Sequence, residues 1–241
     1  MEHITMDGRR VHISAPEGLD VSGLLASWGK LIVPAGTVHC GRDRTSWVFG
    51  IDKAGFSYAE GPIPTKWGDW KVTPVGEFGM ETGLLRLGYV HQPAHHGMEQ
   101  VNLFAVLESK FFSLQASFFD TEMPEKVVDC FSRLQIEESS LGMSLRKHVD
   151  PTKEIRYIKL IPEFAVIDIS SRGGPAEAQI PKSAGLAVPG GELFRTKDDA
   201  SGLMMVSDTA ITRVSRVPDN KQTREEFAGT IADLSVSVSS N

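Results

Sequence analysis

The chain has 241 residues, enough for one large domain or two small ones. With 25 Lys and Arg against 31 Asp and Glu the formal charge is −6, so electrostatics disfavour nucleic acid and anionic membrane as partners, and no basic stretch offsets that balance. At 41% hydrophobic and 23% charged the composition is that of a soluble globular protein, and no apolar run approaches the roughly 18 residues that span a bilayer.

The first 30 residues carry Glu2, Asp7, Arg9, Arg10, Glu17 and Asp20 and contain no apolar stretch of signal-peptide length, so a cytoplasmic protein is expected. Cys40 and Cys130 lie in apolar surroundings, which points to buried, reduced thiols. Alternation over 10–14 predicts a strand. Asp20 as an N-cap, followed by Val21, Leu24, Leu25 and Trp28 at helical spacing, predicts a short helix. Brief strands are expected at 37–40, 46–51 and 55–59, divided by glycine and charged turn residues.

The segment 61–80 is unusual. Pro62, Pro64, Gly68, Pro74, Gly76 and Gly79 break any long element, and a loop is expected, yet Trp67 and Trp70 interrupt its polar character. Tryptophans held on a loop supply large desolvatable area and are enriched among interface hot spots. Trp67, Asp69 and Trp70 are therefore the candidate partner-binding residues, with Lys66 and Lys71 as a charged rim. The competing expectation is that both rings fold under a sheet as ordinary core.

High β-branched and aromatic content predicts antiparallel strands over 84–90, 101–107 and 111–119. Pro124 suits a first helical turn after Asp120 and Thr121, and Val127, Val128, Phe131 and Leu134 form one apolar stripe. Residues 141–154 lack periodicity and suggest a boundary between an N-terminal part, 1–145, and a smaller C-terminal part, 146–241. Further strands are expected at 155–161, 164–170, 203–207 and 210–217, with a loop over 173–191. Thr223 and Glu226 stand in a capping-box arrangement ahead of a second helix, which a serine-rich tail follows.

At an offset of 100, Val127 matches Phe227, Phe131 matches Ile231, Leu134 matches Leu234 and Ile136 matches Val236. The fold class expected is α+β: mostly antiparallel sheet with a few short helices, with two related units of sheet plus terminal helix as one reading and shared amphipathic spacing as the other.

Motifs for chemistry are few. His91, His95, His96 and Glu99 are the densest set of metal-type donors and define an alternative function, a metal-assisted hydrolase, although Pro93 and Gly97 argue for a strand-connecting loop over a ligand-bearing helix. Ser27 and Lys30 have the spacing of a Ser/Lys nucleophile pair without its partner motifs. Cys40 beside His39 would diverge on a strand. No nucleophile elbow, phosphate loop or dinucleotide fingerprint occurs, so no cofactor is expected. The phenylalanines between Phe104 and Phe131 allow a third reading, a small apolar-ligand carrier with its pocket between the sheet and the helix at 124–136. The leading expectation is a non-catalytic protein that binds another protein through 61–80, as adaptors, chaperones and toxin-neutralising immunity proteins of bacteria do.

Overall fold

The computed structural model describes residues 1–22, 25–32, 45–52, 66–67, 70–95, 98–119, 123–145, 147–148, 154–196 and 202–239. The fold is α+β and mostly antiparallel. Its strands begin with β1 (Glu2–Ile4), β2 (Arg10–Ser14), β3 (Ala26–Ile32), β4 (Thr45–Asp52), β5 (Lys66–Trp67) and β6 (Trp70–Met80). They continue with β7 (Gly83–His95), β8 (Met98–Glu108) and β9 (Phe112–Phe119), then helix α1 (Pro124–Ser132), β10 (Glu137–Ser139) and β11 (Gly142–Ser144). After these come β12 (Arg156–Ile161), β13 (Ala165–Ser171), a 3₁₀ turn at Pro175–Gln179, β14 (Leu186–Val188) and β15 (Gly191–Arg195). β16 (Leu203–Val206), β17 (Ala210–Arg216), helix α2 (Arg224–Ala232) and β18 (Ser235–Ser239) complete the described chain. Neither helix is long and apolar enough to cross a membrane.

Contacts divide the chain into a unit of residues 28–153 and a unit that joins residues 1–27 to residues 154–241. Composition places a linear division near residue 145. By contacts, the first 27 residues cluster with the C-terminal half.

The two units repeat one plan. In the first, adjacent strands run β3-β4-β9-β8-β7-β6, with β5 beside β6; in the second they run β12-β13-β17-β16-β15-β14. Each sheet leads into a nine-residue helix, and the two helices lie 100 positions apart. Two smaller features recur as well. A two-residue turn ending on glycine opens the meander, with Met80 opposite Gly83 in one unit and Val188 opposite Gly191 in the other. A serine then closes the next turn: Ser109 N–H donates to Phe112 O at 3.0 Å, and Ser207 N–H to Ala210 O at 2.9 Å.

That serine also reaches the strand after the helix. Ser207 Oγ donates to Val236 O at 3.0 Å, and Ser109 Oγ contacts the Glu138 carboxylate. Glu138 Oε1 additionally accepts from the backbone N–H groups of Phe111 and Phe112, each at 2.9 Å. One carboxylate thus satisfies the tip of the β8–β9 hairpin. Glu138→Ala strands the buried Phe112 N–H end of that network, and urea unfolding is expected to show a loss of about 2 kcal/mol, with Glu138→Gln losing less because it keeps an acceptor oxygen.

Alternation builds the cores. In the 28–153 unit, Leu85, Leu107 and Leu114 form one buried row across β7, β8 and β9, and Leu87, Ala105 and Ala116 form the next. Val127, Cys130 and Phe131 of α1 are buried too. In the other unit Ile167, Ile169 and Val214 are buried with Phe227 and Ile231 of α2, and the Phe164 and Phe227 rings lie 5.2 Å apart between centroids. The offset positions Val127 and Phe227, Phe131 and Ile231, and Leu134 and Leu234 are all buried.

Several local expectations are corrected. Residues 26–32 form a strand instead of ending a helix: Asp20 Oδ1 accepts from Ser22 N–H at 2.7 Å in a turn of its own, and Trp28–Ile32 pair with β4. Residues 70–80 form a strand where prolines and glycines suggested a loop. Pro74 sits at a register shift between Pro74 and Gly76, and a proline is tolerated where a ladder is interrupted or an edge is open. Helix α1 begins as Pro124 predicts, but its N-cap is Met123 with no side-chain bond. The serine-rich ending is strand β18, whose Ser-Val alternation buries Val236 and Val238. The strands expected at 37–40 and 55–59 lie outside the described residues.

The capping box is present in full. Thr223 N–H donates to Glu226 Oε2 at 2.8 Å and Glu226 N–H to Thr223 Oγ1 at 3.2 Å, which holds the Glu226 carboxyl below its usual range.

Candidate functional site

Trp67 of β5 and Trp70 of β6 stand directly opposite each other in an antiparallel pair; Asp69 lies outside the described residues. The next pair outward is Lys66 opposite Lys71, and Lys71 in turn stands opposite His91 on β7. Three residues of basic type therefore occupy one register row across three strands. Like charges directly opposite each other are unfavourable in a sheet.

Beyond Lys71 strand β6 pairs, among the described residues, with β7 alone. That edge is blunted by Pro74 and by the bulge beside it, two devices that discourage addition of a further strand. Thr73, Pro74, Val75, Glu77 and Gly79 are exposed along it.

His91 lies inside β7 and His95 at its end. The pairing of β7 with β8 shifts register between Gln92 and His95, and His91 Nε2 is 3.3 Å from Thr73 Oγ1. Glu99 is on β8, and His96 lies outside the described residues. Among the described residues no three metal-type donors gather.

The remaining sequence candidates are structural where they are described. Ser27 Oγ accepts from Met6 N–H at 2.9 Å and is buried. Cys130 is a free, buried thiol whose pKa is pushed up to about 12 by loss of solvent and by Asp129, so it stays protonated and unreactive. Cys40 and His39 lie outside the described residues. Phe112 and Phe131 are buried in the core.

Two features escaped sequence reasoning. The first is a buried polar cluster in the unit that contains β12. Tyr157 Oη donates to Asp7 at 2.9 Å, and Thr5 Oγ1 donates to the same carboxylate at 2.6 Å. Burial, then the nearby Asp7 charge, pushes the Tyr157 phenol well above its ordinary range. On the same face of β12, Lys159 is 1% exposed and burial lowers its pKa to about 8, partly offset by Asp20.

The second is a groove of about 720 Å³ between the loop after the 3₁₀ turn and the ends of β15, β16 and β17. Lys182, Ser183, Arg213 and Ser215 line it with Ile180 and Met204. These residues span more than 30 positions in sequence and share no motif, which is why spacing rules do not find them.

Comparison with protein-family models, with curated proteins and with solved structures gives no match.

Proposed function

We propose that the protein is a non-catalytic protein-binding module, working in the cytoplasm as an adaptor, chaperone or toxin-neutralising immunity protein, and that it engages its partner through Trp67, Asp69 and Trp70 at the end of β6. The observation that carries this reading is the opposed pair Trp67 and Trp70 backed by the like-charged pair Lys66 and Lys71. Aromatic residues beside cations are what a protein hot spot needs, and two opposed lysines are relieved when an acidic partner covers them.

Affinity capture of the tagged full chain from its own cells, followed by titration of the purified partner, tests this. The wild type is expected to retain a stoichiometric partner. The Trp67→Ala, Trp70→Ala double variant, shown by circular dichroism to be folded, is expected to bind at least roughly 30-fold more weakly, the effect of losing one hot spot of about 2 kcal/mol. A folded double variant that binds as the wild type does removes the site. Metal analysis of protein purified without chelator tests the alternative, a metal-assisted hydrolase built on His91, His95, His96 and Glu99: a sub-stoichiometric content that alanine at His95 and His96 leaves unchanged removes it.

A further inference from the structure

In a chain with six more acids than bases, the groove of the β12–β17 unit is lined, among the described residues, by two cations and no carboxylate. Arg213 is the residue to explain. It sits mid-strand on β17, opposite Asp168 of β13 on one side and Met204 of β16 on the other. Asp168 is its natural counter-ion, yet Arg156 occupies that carboxylate in a two-pronged pair, with Nε donating to Oδ1 at 3.0 Å and a terminal nitrogen bonded to Oδ2. The half-buried Arg213 is left with no hydrogen bond or ion pair among the described residues. A guanidinium partly withdrawn from water without a partner is unfavourable, and its planar fork matches a carboxylate.

Its neighbours complete a recognition surface. The side chains of Lys182, Ser183 and Ser215 also make no internal bond among the described residues. Thr196 also lines the groove, its Oγ1 donating to Gly202 O at 3.1 Å. Against this polar half stand Ile180, Leu203 and the buried Met204. A volume near 720 Å³ with an apolar floor and a few convergent polar groups is the form of a small-molecule site.

We propose that this groove binds a small amphipathic carboxylate, its head paired with Arg213 and Lys182 and its apolar body lying along Ile180, Leu203 and Met204. The site is independent of the tryptophan pair, and either can fail without the other.

The full chain is titrated with the fluorescent probe 8-anilinonaphthalene-1-sulfonate, which is then displaced with octanoate, acetate or octan-1-ol. Saturation at one site is expected, with octanoate displacing the probe at concentrations at least tenfold lower than acetate or octan-1-ol. Arg213→Gln is expected to weaken octanoate at least tenfold and Lys182→Gln about threefold, while Arg133→Gln, an exposed change in the other unit, leaves it unaltered. Equal displacement by octanoate and octan-1-ol overturns the proposal, because the head would then contribute nothing. Displacement by a hexaglutamate peptide but not by octanoate overturns it too, in favour of a protein tail. Should Arg213→Gln unfold, Lys182→Glu at the exposed rim decides: a tenfold loss of octanoate affinity supports the site and unchanged affinity refutes it.

Discussion

Gly191→Ala is expected to destabilise the protein by about 3 kcal/mol and to lower its melting temperature by roughly 6–12 °C. Gly191 closes the hairpin that links β14 to β15, pairing with Val188 across a two-residue turn. Its φ is +132°, a region L-residues with a Cβ rarely enter. A Cβ there would lie 2.1 Å from the carbonyl oxygen of Val206 and 2.8 Å from its carbonyl carbon. Those atoms belong to the backbone of β16 and cannot swing aside as a flexible side chain would, so either the hairpin or the ladder must shift. Gly79→Ala is the control. A Cβ at Gly79 meets nothing within 4 Å, and alanine there is expected to change the melting temperature by no more than about 2 °C. A Gly191→Ala protein that melts with the Gly79→Ala protein contradicts this account of the hairpin.

Acid is expected to weaken the protein through His3 before most carboxylates titrate. His3 lies on β1 opposite Val11, is 9% exposed, and its Nε2 is buried without a hydrogen-bond partner. Burial, then the charge on Lys159, then the N-terminal ammonium lower its pKa from 6.5 to about 4. The native state thus keeps the ring neutral over a range in which the unfolded chain binds a proton. The stability this contributes is complete above about pH 6.5 and is lost as pH falls from there towards 4, amounting to roughly 2–3 kcal/mol by pH 4.5. Urea unfolding of wild type and His3→Gln at pH 7.5 and 4.5 measures the difference, which should be several-fold smaller in the variant. Lys159→Met removes the nearest opposing charge, so the His3 ring resonances should titrate at a higher pH than in the wild type. A His3 that titrates near 6.5 in the folded wild type contradicts the buried site.

The shared plan of the two units separates what a single sequence says from what it does not. The offset of 100 was visible only at the helices, where the capping box at Thr223 and the apolar stripes at Val127, Phe131, Phe227 and Ile231 obey strong local rules. The shared strand order was not visible, because register and neighbour choice come from pairing partners far away in the chain. Ser109 and Ser207 occupy the same turn in the two units, yet one reaches a carboxylate and the other a backbone carbonyl, so no common motif marks them.

At 70–80 the composition misled for a physical reason. Proline and glycine break helices and central strands, but an edge strand with a bulge tolerates both, and edge position is a property of the sheet. At 26–32 helical spacing of apolar residues gave way to pairing with β4, a case of long-range ladder bonds outweighing local preference.

By itself, then, the chain's order of residues determined the α+β class, the two amphipathic helices and their spacing, the meander at 84–119 and the buried state of Cys130. Each rests on periodicity or on chemistry within a few positions. Only the tertiary structure decided the common strand order of the two units, the opposed lysines behind Trp67 and Trp70, the enclosure of His3 and Lys159, and the groove at Arg213. Each of these depends on which distant residues a folded backbone brings opposite one another, and on Arg156 reaching Asp168 where Arg213 does not.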